Sequence, residues 1–455
     1  MAILACLAVP PQFLTGRRPL TSAVRHNAAG PDPGNLFPAA NHVPELRPDS
    51  PYAIRRLFVA LALMTIGNGG MYAVVTVLPT VQAEFGTSRA DASLPYTMLM
   101  IGFGLGGILM GRLADRFGVT VPLLIGAASL GLGYVTASWA GSVWTFALAH
   151  GLFVGMLGSS ATFAPLIADT SLWFVRRRGI AVGVCASGNY LAGAVWPPVV
   201  QHLVATHGWR PTYFGIGLFC AASVAALALL MRPRPPLAAP AMAASSSGTA
   251  PDVGRPFGLS PRAATALLCV AGLACCVAMS MPQVHIVALC TDLGFGTARG
   301  AQMLSLMLAF GIASRLLSGY ICDHIGGLRT LLLGSLLQGV ALLMYLPADG
   351  LWSLYVVSAM FGLFQGGIVP AYAIIVREHF APGEAGARVG TVLMFTLLGM
   401  ALGGWMSGKA YDLTGSYTAA FVNGIAWNLV NLSVAAWLLL RVRGLPGRPS
   451  EPATP

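Results

Sequence analysis

Charged side chains are scarce in this sequence, at 9% of 455 residues against 56% hydrophobic ones. That balance leaves too little polar surface for a water-soluble protein of this length and places the chain in a bilayer. Lysine is almost missing, Lys409 being the single one, so the basic excess is an arginine excess, as a GC-rich bacterial genome would give. No Gly-x4-Gly-Lys-Ser/Thr loop is present, which excludes ATP-driven transport of the usual kind. The eight cysteines lie mostly inside apolar stretches without metal-ligand spacing, so they read as small core residues, with no disulfide set and no metal. With no soluble domain and no catalytic constellation, the chain is not expected to be an enzyme or to need a cofactor. A formal net charge of +11 would suggest nucleic acid in a soluble domain, but these arginines flank hydrophobic runs and so report membrane topology, with lipid as their neighbour.

What is present is a series of runs of about 20 apolar residues, the length that crosses a bilayer. Twelve are legible, near 57–81, 92–111, 120–139, 143–167, 180–203, 211–231, 262–287, 300–320, 329–346, 351–375, 386–409 and 418–440. The expected fold is therefore an all-α membrane protein of twelve transmembrane helices in two six-helix pseudo-repeats. Residues 51–231 form one bundle and 262–441 the other. The linker 232–261 is rich in Pro, Ala, Ser and Gly and is expected to be disordered, as are the tails 1–50 and 442–455. The apolar start Ala2 to Val9 is short and has no basic region before it, so it makes a poor signal peptide. Arginines crowd the loops on one side (Arg55, Arg56, Arg112, Arg116, Arg176 to Arg178, Arg329, Arg377, Arg388), whereas the other side has Arg89, Arg210, Arg299 and Lys409. The positive-inside rule then puts both termini in the cytoplasm, and the composition points to a bacterial inner membrane.

The two bundles share a loop. Gly111, Asp115 and Gly118 return as Gly319, Asp323 and Gly326, each 208 residues on (319 − 111), after the second span of each half. Two similar bundles suit a carrier that opens its site to either side by rocking one against the other. Asp115 lies at the end of a span where it can accept from a helix N-terminus or pair with arginine, and Gly118 permits a tight turn. Gly111, Arg112, Asp115, Arg116, Gly118, Asp323 and Arg329 are thus the candidate gating residues, with Arg112 and Arg116 open to a plainer reading as topology anchors.

The run Gly111-Arg112-Leu113-Ala114-Asp115-Arg116-Phe117-Gly118 resembles the loop between spans two and three of the major facilitator superfamily, a likeness that covers about 57–440. Trp173-Phe174-Val175-Arg176-Arg177-Arg178-Gly179, followed by Ser187-Gly188, Gly193, Pro197 and Gly208-Trp209-Arg210, is similar to the monocarboxylate transporter branch and its bacterial relatives. Phe85-Gly86-Thr87-Ser88-Arg89-Ala90-Asp91 resembles an outer loop of those bacterial relatives. The Gly-Pro pattern of span five in proton-driven drug antiporters is absent.

Arg315 stands out in the eighth span, where an arginine at the bilayer centre costs ~2.5–3.5 kcal/mol and calls for compensation. Its planar paired donors match a carboxylate. Snorkelling is the alternative, since the expected helix end is roughly 7–8 Å away. The resemblance implies that an arginine at this place binds the substrate carboxylate, and that an aspartate one turn earlier serves proton coupling; here that position is Gly311. His285 is the candidate replacement, able to contact a carboxylate and carry a proton, or else a satisfied polar residue at its helix end. Asn68 and Tyr72, one turn apart, and Asn189-Tyr190 are candidates for the substrate's other oxygens, with helix packing as the alternative. The expected function is a secondary active transporter of small monocarboxylates such as lactate or pyruvate, coupled to protons and monomeric. An oxalate/formate-type exchanger, a drug or metabolite efflux pump and a non-transporting sensor are its rivals.

Overall fold

A computed structural model describes residues 47–175, 178–233 and 256–443. Twelve helices in it are long and apolar enough to cross a membrane. The first six are α1 (Pro51–Phe85), α2 (Arg89–Phe117), α3 (Thr120–Ser138), α4 (Val143–Trp173), α5 (Gly179–His207) and α6 (Trp209–Leu230). The second six are α7 (Pro261–Asp292), α8 (Thr297–Ile325), α9 (Gly327–Tyr345), α10 (Leu351–His379), α11 (Glu384–Thr414) and α12 (Tyr417–Val442). An even number of crossings puts the start of α1 and the end of α12 on one face, here the tail face; the other is the far face. Most of the expected linker, the basic pair Arg176 and Arg177, and nearly all of the expected tails lie outside the described residues. One stretch of the linker differs from expectation: Pro256–Gly258 is a 3-10 turn whose Phe257 is 2% exposed and stacks on His379 at 4.4 Å.

Local chemistry sets the helix ends. Ser50, Ser88 and Ser260 accept from the backbone three residues on, and Ser142 forms a reciprocal cap with Thr145, supplying acceptors for N–H groups that a helix start leaves open. The repeated loop is also repeated in backbone shape. Gly118 has φ 83° and ψ 165°, Gly326 φ 82° and ψ 162°, and each N–H bonds back to the carbonyl four residues earlier. A side chain at that φ is strained, which is why glycine stands at both corners.

Within each half the helices approach through glycine. Cβ atoms at Gly102 and Gly106 of α2 would lie 2.1 and 1.9 Å from carbonyl oxygens of α4, and one at Gly362 of α10 would lie 1.9 Å from that of Met307 in α8. The pairing of α2 with α4 thus returns as α8 with α10. Similarly, Gly188 of α5 meets α1, and Gly399 and Gly403 of α11 meet α7. Gly107, by contrast, has open space around it. Three helices bend: α1 breaks at Asn68, α4 passes through a π segment (Ala149–Gly158), and α10 breaks at Gly366 and Gly367. At 35 residues α1 would be about 52 Å long if straight, beyond the ~30 Å of a hydrocarbon core. The halves meet along α2 with α11 and α5 with α8, with α1 against α7 behind them.

Candidate functional site

Arg315 turns into the seam between α5 and α8. Its Nη1 donates to the Ala186 carbonyl at 3.0 Å, Nε points at the Gly366 carbonyl at 3.5 Å, and its guanidinium carbon lies 4.4 Å from the centre of the Tyr190 ring. This is a seam position and not a snorkelling one. Two carbonyls use only part of a five-donor group, and among the described residues no carboxylate is paired with it. One turn earlier, a Cβ at Gly311 would lie 2.4 Å from Cδ1 and Cε1 of Tyr190, so the tyrosine ring fills the space a side chain would need. Beside it, the Tyr72 hydroxyl donates to Asn189 Oδ1 at 2.8 Å. Four of the six sequence-derived binding residues therefore gather where α1, α5 and α8 meet.

The other two are elsewhere. Asn68 is buried at the break in α1, its Nδ2 donating to the Met64 carbonyl at 2.8 Å while Oδ1 has no partner. His285 is fully buried against α11 and α12. Its Nε2 lies 2.8 Å from the Gly404 carbonyl and its Nδ1 3.4 Å from the Tyr417 hydroxyl. A carbonyl only accepts, so Nε2 carries the proton and Nδ1 faces Tyr417 as an acceptor.

Tyr417 belongs to a latch on the far face that the sequence reading missed. Arg89, 6% exposed, donates through Nη1 to the Tyr417 hydroxyl at 3.1 Å and through Nη2 to both Asp292 oxygens at 3.1 and 3.0 Å. The N–H groups of Arg89 and Ala90 each reach an Asp412 oxygen at 2.8 Å, and Tyr411 lies 4.7 Å under the guanidinium. One residue at the start of α2 is thus held by α7, α11 and α12. A sequence signal existed: Arg89 starts a helix, while Asp292 and Asp412 sit in last turns, each the wrong sign for the helix dipole.

The far part of the seam is closed elsewhere too. Gln201 donates to Thr297 at 2.6 Å across α5 and α8, Thr97 to the Ala401 carbonyl at 3.1 Å across α2 and α11, and Ser305 to the Ala194 carbonyl. Toward the tail face, past the Arg315–Ala186 bond, no such tie joins the same four helices among the described residues. Cβ atoms at Gly107 and Gly111 of α2, Gly179 and Gly183 of α5, Gly319 of α8, and Gly386 and Gly390 of α11 would meet nothing within 4 Å. The seam opens to the tail face. The candidate gating side chains Arg112, Asp115, Arg116, Asp323 and Arg329 are all exposed there, without a hydrogen bond or ion pair among the described residues. In the second half the N-terminus of α9 is capped instead by Glu378, whose oxygens accept from Gly327 N–H at 3.1 and 3.2 Å.

This architecture has known relatives. The chain is 30% identical over 331 residues to monocarboxylate transporter 13 of Bos taurus, covering 71% of this chain and 74% of that protein. It is 27% identical over 425 residues to the MFS-type transporter opdF of Penicillium oxalicum, covering 90% and 96%. In fold it is similar to a bacterial homologue of the human lysosomal transporter Spinster, solved inward-facing and occupied, with a TM-score of 0.64, 16% identity, and coverage of 89% and 100%. Its sequence matches the Major Facilitator Superfamily over residues 57–351 and 268–454, and the chain belongs to that family of membrane transporters.

Proposed function

We propose that this protein carries small monocarboxylates across a bacterial inner membrane by alternating access, as a monomer whose two halves complete one site. The observation that supports this most is Arg315, a cation in the seam with donors to spare and, among the described residues, no acid paired with it, facing a path open to one side. A carboxylate bound there would form charge-assisted hydrogen bonds of a kind worth about 1.5–3 kcal/mol. Tyr72 and Asn189, bonded to each other beside it, would meet a second polar group of the substrate, and the likeness to monocarboxylate transporters favours the same substrate class. A dicarboxylate would bring a second charge, and Lys409 is exposed near the far end of α11. One seam cation suits one carboxylate better.

The arginine bias supports a cytoplasmic tail face, which makes the open path the cytoplasmic one. The proton coupling expected of His285 would act at a distance from the carboxylate. A proton on Nδ1 would turn the acceptor that faces Tyr417 into a donor and add a positive charge to the Arg89 latch.

The test is uptake of a labelled monocarboxylate panel into proteoliposomes, with and without a proton gradient. Saturable uptake by the native chain and its loss in Arg315→Ala are expected. No carboxylate uptake by folded protein, or uptake unchanged in Arg315→Ala, overturns the assignment and turns the search to efflux substrates or sensing.

A further inference from the structure

We infer that Phe257 is a sprung strap on the tail half of α10, and that this half-helix is the part that swings when the tail face closes. The device is independent of the carboxylate reading above. In α4 the π segment ends at Gly158 and α-helix resumes at Ala164–Trp173; α10 breaks at Gly366 and resumes at Ile368–His379. The two glycines are 208 residues apart (366 − 158), the spacing of the doubled loop. So are Asp49 and Phe257 (257 − 49), the two non-glycine residues with positive φ among the described residues, both at 58°. Each precedes the first helix of its half and grips the end of the resumed segment. The Asp49 N–H donates to the Trp173 carbonyl at 3.0 Å, and its carboxylate accepts from the Val175 N–H at 3.3 Å. The Phe257 ring stacks on His379 at 4.4 Å and stands edge-on to Phe380 at 6.4 Å.

The two grips differ in how they hold. Aspartate enters the left-handed region readily. The segment it grips is also pinned by the buried pair of Arg56 and Asp169, at 2.8 and 2.9 Å, and breaking such a pair leaves a charge in the interior. Phenylalanine is strained at that φ, and burial of its ring, 2% exposed, offsets the strain. Further along, the α10 segment is tied by the Tyr372 hydroxyl to Asn431 of α12 at 2.8 Å and by the Glu378 cap to α9. A docking in which strain opposes burial lies near balance and can let go. The swing starts beside Arg315, because Gly366 carries the carbonyl that its Nε faces. The first half thus supplies a fixed wall and the second a moving one.

Hydrogen–deuterium exchange of the full chain in nanodiscs reads both segments. In the native protein Ile368–His379 is expected to exchange about tenfold faster than Ala164–Trp173. Equal rates, or the reverse order, overturn the inference. Phe257→Gly removes the ring but suits the backbone, and should quicken exchange in the α10 segment a further tenfold or about that, leaving the α4 segment as it was. Phe257→Ala removes the ring and keeps the strain, so it should quicken exchange more than the glycine does. An unchanged rate in Phe257→Gly overturns the strap, and an alanine no faster than the glycine overturns the spring. If neither variant folds, the native comparison still decides. A short cross-linker joining Phe257→Cys to His379→Cys is then expected to stop turnover of a labelled substrate, whereas one joining Asp49→Cys to Val175→Cys is expected to spare it. Turnover that survives the first cross-link, or is lost to both alike, overturns the swing. Absence of carboxylate transport by the native chain bears on the carboxylate reading alone, and the exchange rates then decide the strap.

Discussion

Arg89 and Arg315 occupy the same seam, and each lies over a tyrosine, 4.7 Å from the ring centre of Tyr411 and 4.4 Å from that of Tyr190. Arg89 is surrounded by its own counter-charges, with Asp292 on its guanidinium and Asp412 on its backbone. Arg315 has two carbonyls and a ring. A cation that fastens two parts of a protein brings its anion with it; a cation that waits for a substrate leaves that place open. The difference separates the closed far face from the candidate binding region without reference to any relative.

Substitutions at four positions test this contrast, in falling order of expected effect. Arg315→Ala removes the waiting cation and should lower carboxylate uptake about a hundredfold, the loss of charged hydrogen bonds worth ~3 kcal/mol, while leaving thermal stability in detergent near native. Arg315→Lys, which keeps charge but not the planar pair of donors, should recover part of that loss. Arg89→Ala loosens the far latch. A cysteine at Gln201, on the far seam, should then react about tenfold faster with a membrane-impermeant thiol reagent, and unchanged reactivity would show that the remaining ties close that face alone. His285→Ala should alter uptake about threefold and flatten its response to pH on the far side, as a residue two bonds removed from Arg89 would. Asp115→Asn is expected to leave the stability of the tail-open form within about 0.5 kcal/mol of native, because the carboxylate is free there, and to slow turnover only through the state in which the tail face closes. A clear drop in melting temperature would contradict that.

The spans, the doubled loop and the intramembrane arginine were legible because each is a local pattern: an apolar run of bilayer length, a spacing, a charge out of place. Tyr72 with Asn189 and Tyr190 with Arg315 were legible as candidates, though not as partners. The pairings of the latch were not legible, and their distances along the chain explain why. Asp292 lies 203 residues from Arg89 and Asp412 lies 323 away, and periodicity says where on a helix a residue sits but not which neighbouring helix it meets. His285 illustrates the same limit, since its type suggested a proton carrier near Arg315 while packing placed it under Tyr417. The candidate gating residues expose a different one. Asp115, Arg112 and Asp323 are exposed without partners among the described residues, so a spacing that suggested pairing is matched by no contact in this arrangement.

The most exposed tryptophans, Trp139, Trp144 and Trp352, at 74%, 57% and 81%, lie at the far ends of α3, α4 and α10, two in the first half and one in the second. Indole rings settle at the level of lipid headgroups. The closed rim thus carries headgroup-seeking rings on both sides of the seam, and parting it is expected to move them within the headgroup layer. Turnover should therefore change with headgroup packing and bilayer thickness even when every residue of the protein is kept.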